Sequence, residues 1–229
     1  GAKFDDVINS RLPKNWDKAL NALKNEAIRE QTKAATRKAS QMCLEKIVPH
    51  VPEIIGGSAD LAASNLTFVK GMKTITAEDY DGNNLMYGIR EHAMGAIMNG
   101  LALHGGVIPV CGTFFVFSDY MKPAVRLAAL MRLHVIYIWT HDSFRVGEDG
   151  PTHQPVEHEA QIRLMEHLKN HRGERSMLVL RPADGEETVT AWKLAIEEHR
   201  PVALILSRQN IKNLPALNHS RREEAAQLS

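Results

Sequence analysis

Residues whose side chains could take part in catalysis or ligand binding are concentrated in the stretch 141–155. It reads His-Asp-Ser-Phe-Arg-Val-Gly-Glu-Asp-Gly-Pro-Thr-His-Gln-Pro. Two histidines, three carboxylates, two glycines and two prolines fall within these fifteen residues. Ionisable groups are costly to bury without partners, so the stretch does not pack as ordinary core. Pro151 and Pro155 also make it too stiff for a linker. Composition alone leaves two interpretations open: a solvated turn, or a ligand site held in one shape.

Three further polar clusters also follow runs that are typical of strands. They are 58–65, 88–92 and the pair Ser207 and Arg208. Because the carboxyl ends of parallel strands meet at one edge of a sheet, we expect all four clusters to converge on one site. A glycine pair at 56–57 would let backbone amides approach an anion, although it lacks the dinucleotide-binding spacing.

Several common site chemistries lack their motifs. No HExxH sequence is present, and the two histidines of the first stretch lie twelve positions apart, without helical pairing. Gly57 and Ser58 form only half of a nucleophile elbow, and a phosphate-binding Walker loop is missing. Cys43 and Cys111 have neither zinc-ligand nor disulfide spacing. We therefore predict no metal ligands on this chain, and a reducing, cytoplasmic setting.

The overall composition gives no reason to expect nucleic acid or a membrane as a partner. The 229 residues carry a formal net charge of +1, which gives no electrostatic reason to expect nucleic acid or an acidic membrane. No apolar run approaches the roughly 18 residues of a membrane span, and no signal peptide opens the chain. Gly1 in place of methionine suggests a processed or excised piece.

Elements that position the polar clusters alternate between strand and helix. This alternation predicts an α/β fold: a parallel six-stranded sheet with helices on both faces. The predicted strands cover 53–55, 85–87, 107–110, 133–140, 177–180 and 202–206.

Helices are expected at 15–30, where one would be peripheral, and at 32–47, capped by Thr32. Another opens at Glu91 and ends at Gly105. A turn of helix would place the rings of Phe114, Phe117 and Tyr120 on one side, where core packing is the default.

The clusters together resemble one family. The motifs are Gly-Gly-Ser-Ala-Asp-Leu at 56–61, Tyr-Gly-Ile-Arg-Glu-His at 87–92, the stretch 141–155, and Leu-Ser-Arg-Gln-Asn at 206–210. In this order, over 32–215, they resemble the pyrimidine-binding domain of transketolase, which has the thiamine diphosphate-binding fold. Deoxyxylulose-phosphate synthase, a related enzyme, shares the glutamate but not the long loop.

The resemblance implies a cofactor site. Glu91 would hold the aminopyrimidine nitrogen of thiamine diphosphate, favouring the tautomer that can take a proton from the thiazolium carbon. By spacing alone Glu91 could equally be an ordinary first-turn acid stabilised by the helix dipole. Phe114, Phe117 and Tyr120 match the family's pyrimidine pocket, and Asp60 resembles a residue near the cofactor.

Substrate contacts follow from the same resemblance. Arg37, Ser64, His141 and Arg208 would surround a sugar phosphate, since an arginine fork can meet two phosphate oxygens at once. Asp149 would accept a hydrogen bond from an acceptor hydroxyl. His153 would lie beside the reacting carbon and, with Glu91, form the catalytic pair. We expect structural roles for His92, His104 and His158.

Departures from the family are as informative as the matches. The segment 158–177 is longer than expected, and 62–63 reads Ala-Ala where the family has Ala-Pro. The Gly-Asp-Gly motif with its later asparagine is absent, so the diphosphate and its Mg²⁺ or Ca²⁺ would be bound by another domain.

We therefore expect an arm at 1–31, the pyrimidine-binding domain at 32–212, and a linker at 213–229. The parent would be a cytoplasmic homodimer of the pentose phosphate pathway that moves two-carbon ketol units between sugar phosphates; the excised domain alone would be inactive. Two alternatives stay open. One is a noncatalytic assembly or binding module of the same fold, and the other is a different thiamine-dependent ketol transferase such as deoxyxylulose-phosphate synthase.

Overall fold

The computed structural model describes residues 2–9, 11–30 and 33–214. The helices are α1 Ala2–Ile8, α2 Lys18–Glu30, α3 Thr36–Ile47, α4 Ala62–Asn65, α5 Glu91–His104, α6 Ser118–Met131, α7 His158–His167 and α8 Gly185–Glu197. The strands are β1 Lys33–Ala34, β2 Ile54–Ser58, β3 Asn84–Met86, β4 Ile108–Phe114, β5 Ile136–Thr140, β6 Leu178–Leu180, β7 Val202–Leu206 and β8 Ile211–Lys212. Short 3₁₀ turns lie at Phe115–Phe117 and Pro151–His153.

Six strands form the main sheet in the order β3-β2-β4-β5-β7-β6, and every neighbouring pair is parallel. The predicted six-stranded parallel sheet is confirmed. The small antiparallel pair β1 and β8 was not predicted. Since the strands of the main sheet run the same way, all of their carboxyl ends lie at one edge, which we call the carboxyl edge.

Alternating side chains of β5 show how the sheet is covered. Ile136 and Ile138 join the core beneath α2, α3 and α8, whereas Tyr137 and Trp139 join the core beneath α5, α6 and α7. Strand residues alternate between the two faces, and both faces of β5 are fully buried. Helices therefore cover both faces, as predicted. None of the described helices combines the length and the apolarity needed to cross a bilayer.

The glycine pair has a packing role, so the interpretation as an anion-binding turn is wrong. Gly56 and Gly57 lie inside β2 and not after it. A Cβ atom on Gly56 would lie 1.5 Å from the carbonyl oxygen of Val110, and one on Gly57 would lie 2.0 Å from that of Leu85. Only glycine lets the neighbouring strands approach this closely.

Two helix predictions need correction. Helix α3 begins at Thr36, with Ala35 as an N-cap that makes no side-chain bond; Thr32, the predicted cap, lies outside the described residues. Instead, Ser207 anchors the start of α3, because its hydroxyl accepts from the Thr36 amide at 3.0 Å and its own amide donates to the Thr36 hydroxyl at 2.7 Å.

The helix expected at 15–30 begins at Lys18, and α1 before it was not predicted. Trp16, Leu20 and Leu23 lie buried in the core that α2 shares with α3 and α8.

Candidate active site

Site residues from distant parts of the chain meet at the carboxyl edge. Glu91 opens α5, Phe114 ends β4, and His141 follows the end of β5. Arg37 lies in the first turn of α3, and its backbone amide donates to the carbonyl of Ser207, the residue that follows β7. The predicted clusters at 88–92, 141–155 and 207–208 therefore lie at this edge, and the fourth, 58–65, meets them through the bond from Thr140 to Asn65.

Three rings form one side of the site. Phe114 and Phe117 stack with centroids 5.9 Å apart and an interplanar angle of 9°. Tyr120 lies 6.0 Å from Phe117. The expected single helical turn is wrong, because Phe114 ends a strand, a 3₁₀ turn follows, and α6 starts only at Ser118. The rings nevertheless share one side, and we call them, together with Glu91, the aromatic corner.

Glu91 reaches this corner through the packing of α5 on α6. A Cβ atom on Gly95 would lie only 2.9 Å from the Cβ of Ala124, so the two helices are in close contact there. Glu91 lies one turn before Gly95 on α5, and Tyr120 lies one turn before Ala124 on α6. Residues four apart share a helix face, so both lie on the faces in contact. Glu91 is only 7% exposed, and within the described chain its carboxylate has no hydrogen-bond or ion-pair partner. The residue is largely enclosed while its unpartnered carboxylate stays accessible, which fits a ligand that shares a proton with it.

The stretch 141–155 joins the aromatic corner through its two histidines. The ring of His141 stacks on Phe114 at 3.7 Å. His153 meets Phe114 and Phe117 edge-on at 5.9 and 5.3 Å. The three rings and the two histidines therefore form one continuous surface.

The opposite side of the site is cationic. Arg37 donates to the carbonyl oxygen of Ser64 at 2.5 Å, and Arg208 pairs with Glu148. Burial and the neighbouring Arg208 lower the pKa of Arg37, although an arginine stays charged in proteins. Two guanidinium groups that repel each other in a partly buried setting favour an anionic ligand.

His141 and Asp149 stand between the rings and the arginines. Their Nε2 and Oδ2 atoms lie 3.8 Å apart, too far for a hydrogen bond, and Asp149 Oδ2 is buried without a partner among the described residues. Burial, followed by the charge of Arg37, lowers the pKa of His141 from 6.5 to about 4. His141 is therefore neutral at pH 7. We call Arg37, Arg208, His141 and Asp149 the anion end.

A buried hydrogen-bond chain lies behind His141, and sequence reasoning gave its members no role. The Thr140 hydroxyl lies 2.8 Å from His141 Nδ1 and donates to Asn65 Oδ1 at 2.7 Å. Asn65 Nδ2 donates in turn to the Ser58 hydroxyl at 3.1 Å, which lies 2.8 Å from that of Thr67. Ser58 and Asn65 lie in the predicted polar cluster 58–65, but the bonds of the chain could not be predicted, because the partners come from separate elements.

The loop after β5 is conformationally unusual. His141, Ser143 and Arg145 have φ angles of 60°, 76° and 53°, which are uncommon for residues other than glycine. Arg181 holds the loop by donating to the Asp142 carboxylate at 3.2 and 3.3 Å. Neither Arg181 nor Asp142 was singled out from the sequence, since their contact spans 39 positions.

Two predicted residues are less well connected. Asp60 is exposed at the same edge with a φ of 60°, and its side chain makes no hydrogen bond or ion pair within the described chain. Ser64 reaches Arg37 through its backbone carbonyl and not through its hydroxyl. The structure brings the other predicted site residues into the two ends just described.

One further cluster, outside the site, has side chains of the metal-binding type. His158 Nε2 lies 3.0 Å from Asp119 Oδ2, and Glu157 lies 3.8 Å from the other ring nitrogen. The ammonium group of Lys122 pairs with Asp119 and so already neutralises that carboxylate. His158 also packs edge-on against Phe115 at 5.8 Å, in keeping with the structural role expected for it.

Comparisons with known proteins agree with this geometry. Residues 32–213 match a family model described as the pyrimidine-binding domain of transketolase. The transketolase of Halalkalibacterium halodurans is 49% identical over 214 residues, which is 93% of this chain and 30% of that protein.

Two solved transketolase structures from Pichia stipitis are also similar. One, a mutant in complex with xylulose 5-phosphate, has a TM-score of 0.82 and 44% identity over 93% of this chain and 31% of its own. The other, in complex with sedoheptulose 7-phosphate, has a TM-score of 0.84 and 43% identity over 98% of this chain and 32% of its own. The chain thus spans about 30% of the length of the curated relatives it matches.

Proposed function

Because the chain belongs to the transketolase family, as its pyrimidine-binding domain, we propose that it contributes half of an active site. That site would transfer a two-carbon ketol unit from a ketose phosphate to an aldose phosphate. The cofactor would be thiamine diphosphate. The observation that carries the proposal is the unpartnered carboxylate of Glu91, a largely buried residue one helix turn from the contact of α5 with α6, where Tyr120 adjoins the stacked rings.

The aromatic corner would hold the pyrimidine ring. The flat faces of Phe114 and Phe117 suit stacking against a planar heterocycle, and Tyr120 would cover its outer edge. Glu91 is the charged residue of the aromatic corner, and its carboxylate would hold a proton at a ring nitrogen of the pyrimidine. When bound, thiamine diphosphate supplies a nucleophilic carbon that accepts and releases the ketol unit.

The anion end would bind the sugar phosphate. Arg37 and Arg208 would clamp its phosphate group with His141 beside them, while Asp149 would accept a hydrogen bond from a hydroxyl group. His153, edge-on to the rings, would orient the reacting end of the sugar. This order along the site, from rings to arginines, suits a ligand with a reactive carbon at one end and a phosphate at the other.

A second copy of the parent chain would complete the site. Helix α5 is apolar on its outward face as well as its inward one, with Ala93, Ala96, Ile97, Gly100 and Leu103 all exposed. A helix that is apolar all round is usually buried, so we expect a partner to cover this face beside Glu91. The partner would supply the diphosphate and divalent-ion ligands, in a cytoplasmic homodimer of the pentose phosphate pathway. Within the parent, 1–31 and 213–229 would connect this domain to its neighbours.

The test is ketol transfer from xylulose 5-phosphate to ribose 5-phosphate by the full-length parent. Replacing Glu91 by Gln keeps its size but removes the charge that holds the proton. We expect kcat to fall by at least ~100-fold, the usual scale for a lost general acid–base partner. Glu45→Gln, an exposed glutamate on α3, is the matched control and should turn over normally.

Near-normal turnover of Glu91→Gln would refute the cofactor assignment. An intact parent that lacks ketol transfer with these two sugars would instead favour a noncatalytic module. Transfer to glyceraldehyde 3-phosphate from pyruvate would favour a deoxyxylulose-phosphate synthase activity.

A further inference from the structure

A group of basic side chains lies at the opposite edge of the main sheet from the carboxyl edge. We call this the amino edge, because the parallel strands begin there. Three connections meet at it: the end of α6 before β5, the loop 168–176 before β6, and the turn 198–201 before β7. Strands β5 and β7 are five residues long, or roughly 17 Å at about 3.3 Å per residue. The amino edge is therefore well separated from the anion end.

An open cavity of about 520 Å³ lies between the three connections, and we call it the amino-edge cavity. It is lined by Leu130, Met131, Arg132, His171, Arg172 and His199. Leu130 and Met131 are 68% and 41% exposed, so they give the cavity an apolar wall. Every polar residue in this lining is an arginine or a histidine, and none of the described residues that line the cavity carries a carboxylate.

The loop 168–176 holds two of the lining residues in a defined shape. The backbone amide of Asn170 donates to the carbonyl of Glu174 at 2.8 Å. The side-chain oxygen of Asn170 accepts from the backbone amides of Arg172 and Glu174, at 2.9 and 3.1 Å. This loop belongs to the segment 158–177, whose length departs from the family resemblance, and the resemblance assigns no role to it.

Two arginine contacts fix the loop to its neighbours. Arg132, at the end of α6, pairs with Glu174 at 2.8 Å. Arg200, in the turn before β7, donates to the carbonyl of Arg175 at 3.1 Å. The three sides of the cavity are therefore tied together, so a ligand could bind with little reordering of the backbone.

The electrostatic potential around the cavity is positive. A hydrogen bond from Asn170, followed by the charges of nearby arginines that include Arg172, lowers the pKa of Glu174. The guanidinium group of Arg172 makes no hydrogen bond or ion pair within the described chain, and the rings of His171 and His199 make no hydrogen bond there. Nitrogen donors that converge on a cavity without a carboxylate in its lining favour an anionic ligand.

We propose that the amino-edge cavity is a further anion site, which binds a phosphorylated small molecule. Arg172 and Arg132 would meet the phosphate oxygens, because an arginine fork can donate to two of them at once. The rest of the molecule would cover Leu130 and Met131. The cavity volume of about 520 Å³ lies within the range of about 300–1,000 Å³ that is usual for small-molecule sites, and a bare phosphate ion would leave most of it unfilled.

Phenyl phosphate is a suitable probe, since it joins one phosphate to one apolar ring. The full-length parent, labelled with ¹³C in its methionine methyl groups, is titrated with this probe and followed by NMR, and Met131→Leu identifies the Met131 signal. We expect this signal to shift until the cavity is saturated. Inorganic phosphate should bind more weakly, because it leaves Leu130 and Met131 exposed to water. A Met131 signal that phenyl phosphate does not shift would overturn the proposal.

A pair of variants on the same loop tests the role of the arginine. Arg172 is exposed, so Arg172→Ala should fold normally, and we expect its affinity for phenyl phosphate to fall roughly tenfold or more, the scale of one charged hydrogen bond. Arg175→Ala is the matched control, because Arg175 is exposed on the same loop but does not line the cavity. It should keep the wild-type affinity. Equal losses in both variants would indicate a response to net charge and would overturn the site.

Arg208→Ala distinguishes this cavity from the anion end. The Met131 shift and its affinity should persist in this variant, because Arg208 lies at the opposite edge of the sheet. Loss of the shift in Arg208→Ala would mean that the probe acts from the carboxyl edge, and the proposal would be wrong. The titration needs no turnover, so a parent without ketol transfer would refute the proposed function and leave this test intact.

Discussion

The aromatic corner and the anion end are built from different kinds of structure. The three rings of the corner, Phe114, Phe117 and Tyr120, lie on a strand end, a 3₁₀ turn and a helix start, in an unbroken path along the chain. The anion end instead gathers Arg37, His141 and Arg208 from three distant parts of the sequence, around a loop with three residues in the left-handed region.

This difference separates two ways of holding a ligand. Regular elements give the aromatic corner a surface that packing alone can maintain. The anion end needs specific hydrogen bonds, such as those of Arg181 to Asp142, to hold an unfavourable backbone in place. We therefore expect variants of the buried ring of the corner, Phe114, to change stability and affinity together, and variants of the arginines at the anion end to change affinity more than stability.

The largest effect is expected at Phe114, which touches both ends. It is 7% exposed and stacks on both Phe117 and His141. Phe114→Ala should lower the free energy of unfolding by about 3–5 kcal/mol and weaken binding of both cofactor and sugar phosphate. Urea unfolding and binding titrations of the full-length parent measure these changes.

Phe114→Leu is the control, because it keeps much of the apolar volume and should cost less than about 1.5 kcal/mol. If Phe114→Ala leaves the affinity for sugar phosphate unchanged, the two ends are independent, and their description as one site is wrong.

A smaller effect, confined to affinity, is expected at the arginines. Arg37→Ala and Arg208→Ala each remove one charged hydrogen-bonding group, worth about 1.5–3 kcal/mol, which corresponds to a rise of roughly 10- to 150-fold in KM for the sugar phosphate. Arg126→Ala, an exposed arginine on α6, is the control and should leave KM unchanged. A fall in kcat with an unchanged KM would contradict a role in phosphate binding.

Acid should weaken the fold through His141. Its pKa is about 4 in the folded chain against an ordinary 6.5, so the unfolded chain binds the extra proton first as the pH falls. The contribution of His141 to the free energy of unfolding is therefore fully present above pH 6.5 and declines between pH 6.5 and 4. One proton allows a slope of at most about 1.4 kcal/mol per pH unit. The observed slope should be smaller, because the edge is partly open to solvent.

Comparison of wild type with His141→Asn by thermal unfolding isolates this contribution, because the variant should lose that part of the slope. His50→Gln, on an exposed residue, should keep the wild-type slope. Parallel curves for wild type and His141→Asn would show that the neutral form of His141 does not contribute.

The smallest effect on stability is expected at Tyr120. It is 63% exposed at the outer edge of the corner. Tyr120→Ala should change the free energy of unfolding by less than about 1 kcal/mol, while cofactor binding by the parent weakens several-fold. A large loss of stability would mean that Tyr120 belongs to the core and not to the ligand surface.

Much of the fold could be predicted because it depends on local patterns. The run 133–140 is apolar except for His134 and Thr140, and its strand, Ile136–Thr140, is buried on both faces. Glu91 was predicted to open a helix, and α5 begins there. Gly105, with its φ of 80°, ends α5 as expected. Each of these features is encoded within a few neighbouring residues, and so the sequence alone reveals it.

Predictions were wrong where the deciding contact was distant. The glycine pair 56–57 looked like a turn, but neighbouring strands leave no room there for a side chain. Helix α3 was expected to carry its own cap, yet its start is bonded to Ser207, 171 positions away. Arg181 was overlooked, and the partner of Asn65 was missed, for the same reason.

The sequence by itself determined the alternating strands and helices, the family resemblance, and the residue types gathered at the carboxyl edge. Tertiary structure alone decided that Phe114 stacks on His141, that Thr140 meets Asn65 across 75 positions, and that Asp149 is left facing Nε2. The physical reason is range. Periodicity and turn chemistry act between neighbours, whereas stacking and hydrogen-bond partners depend on which strands the sheet sets side by side.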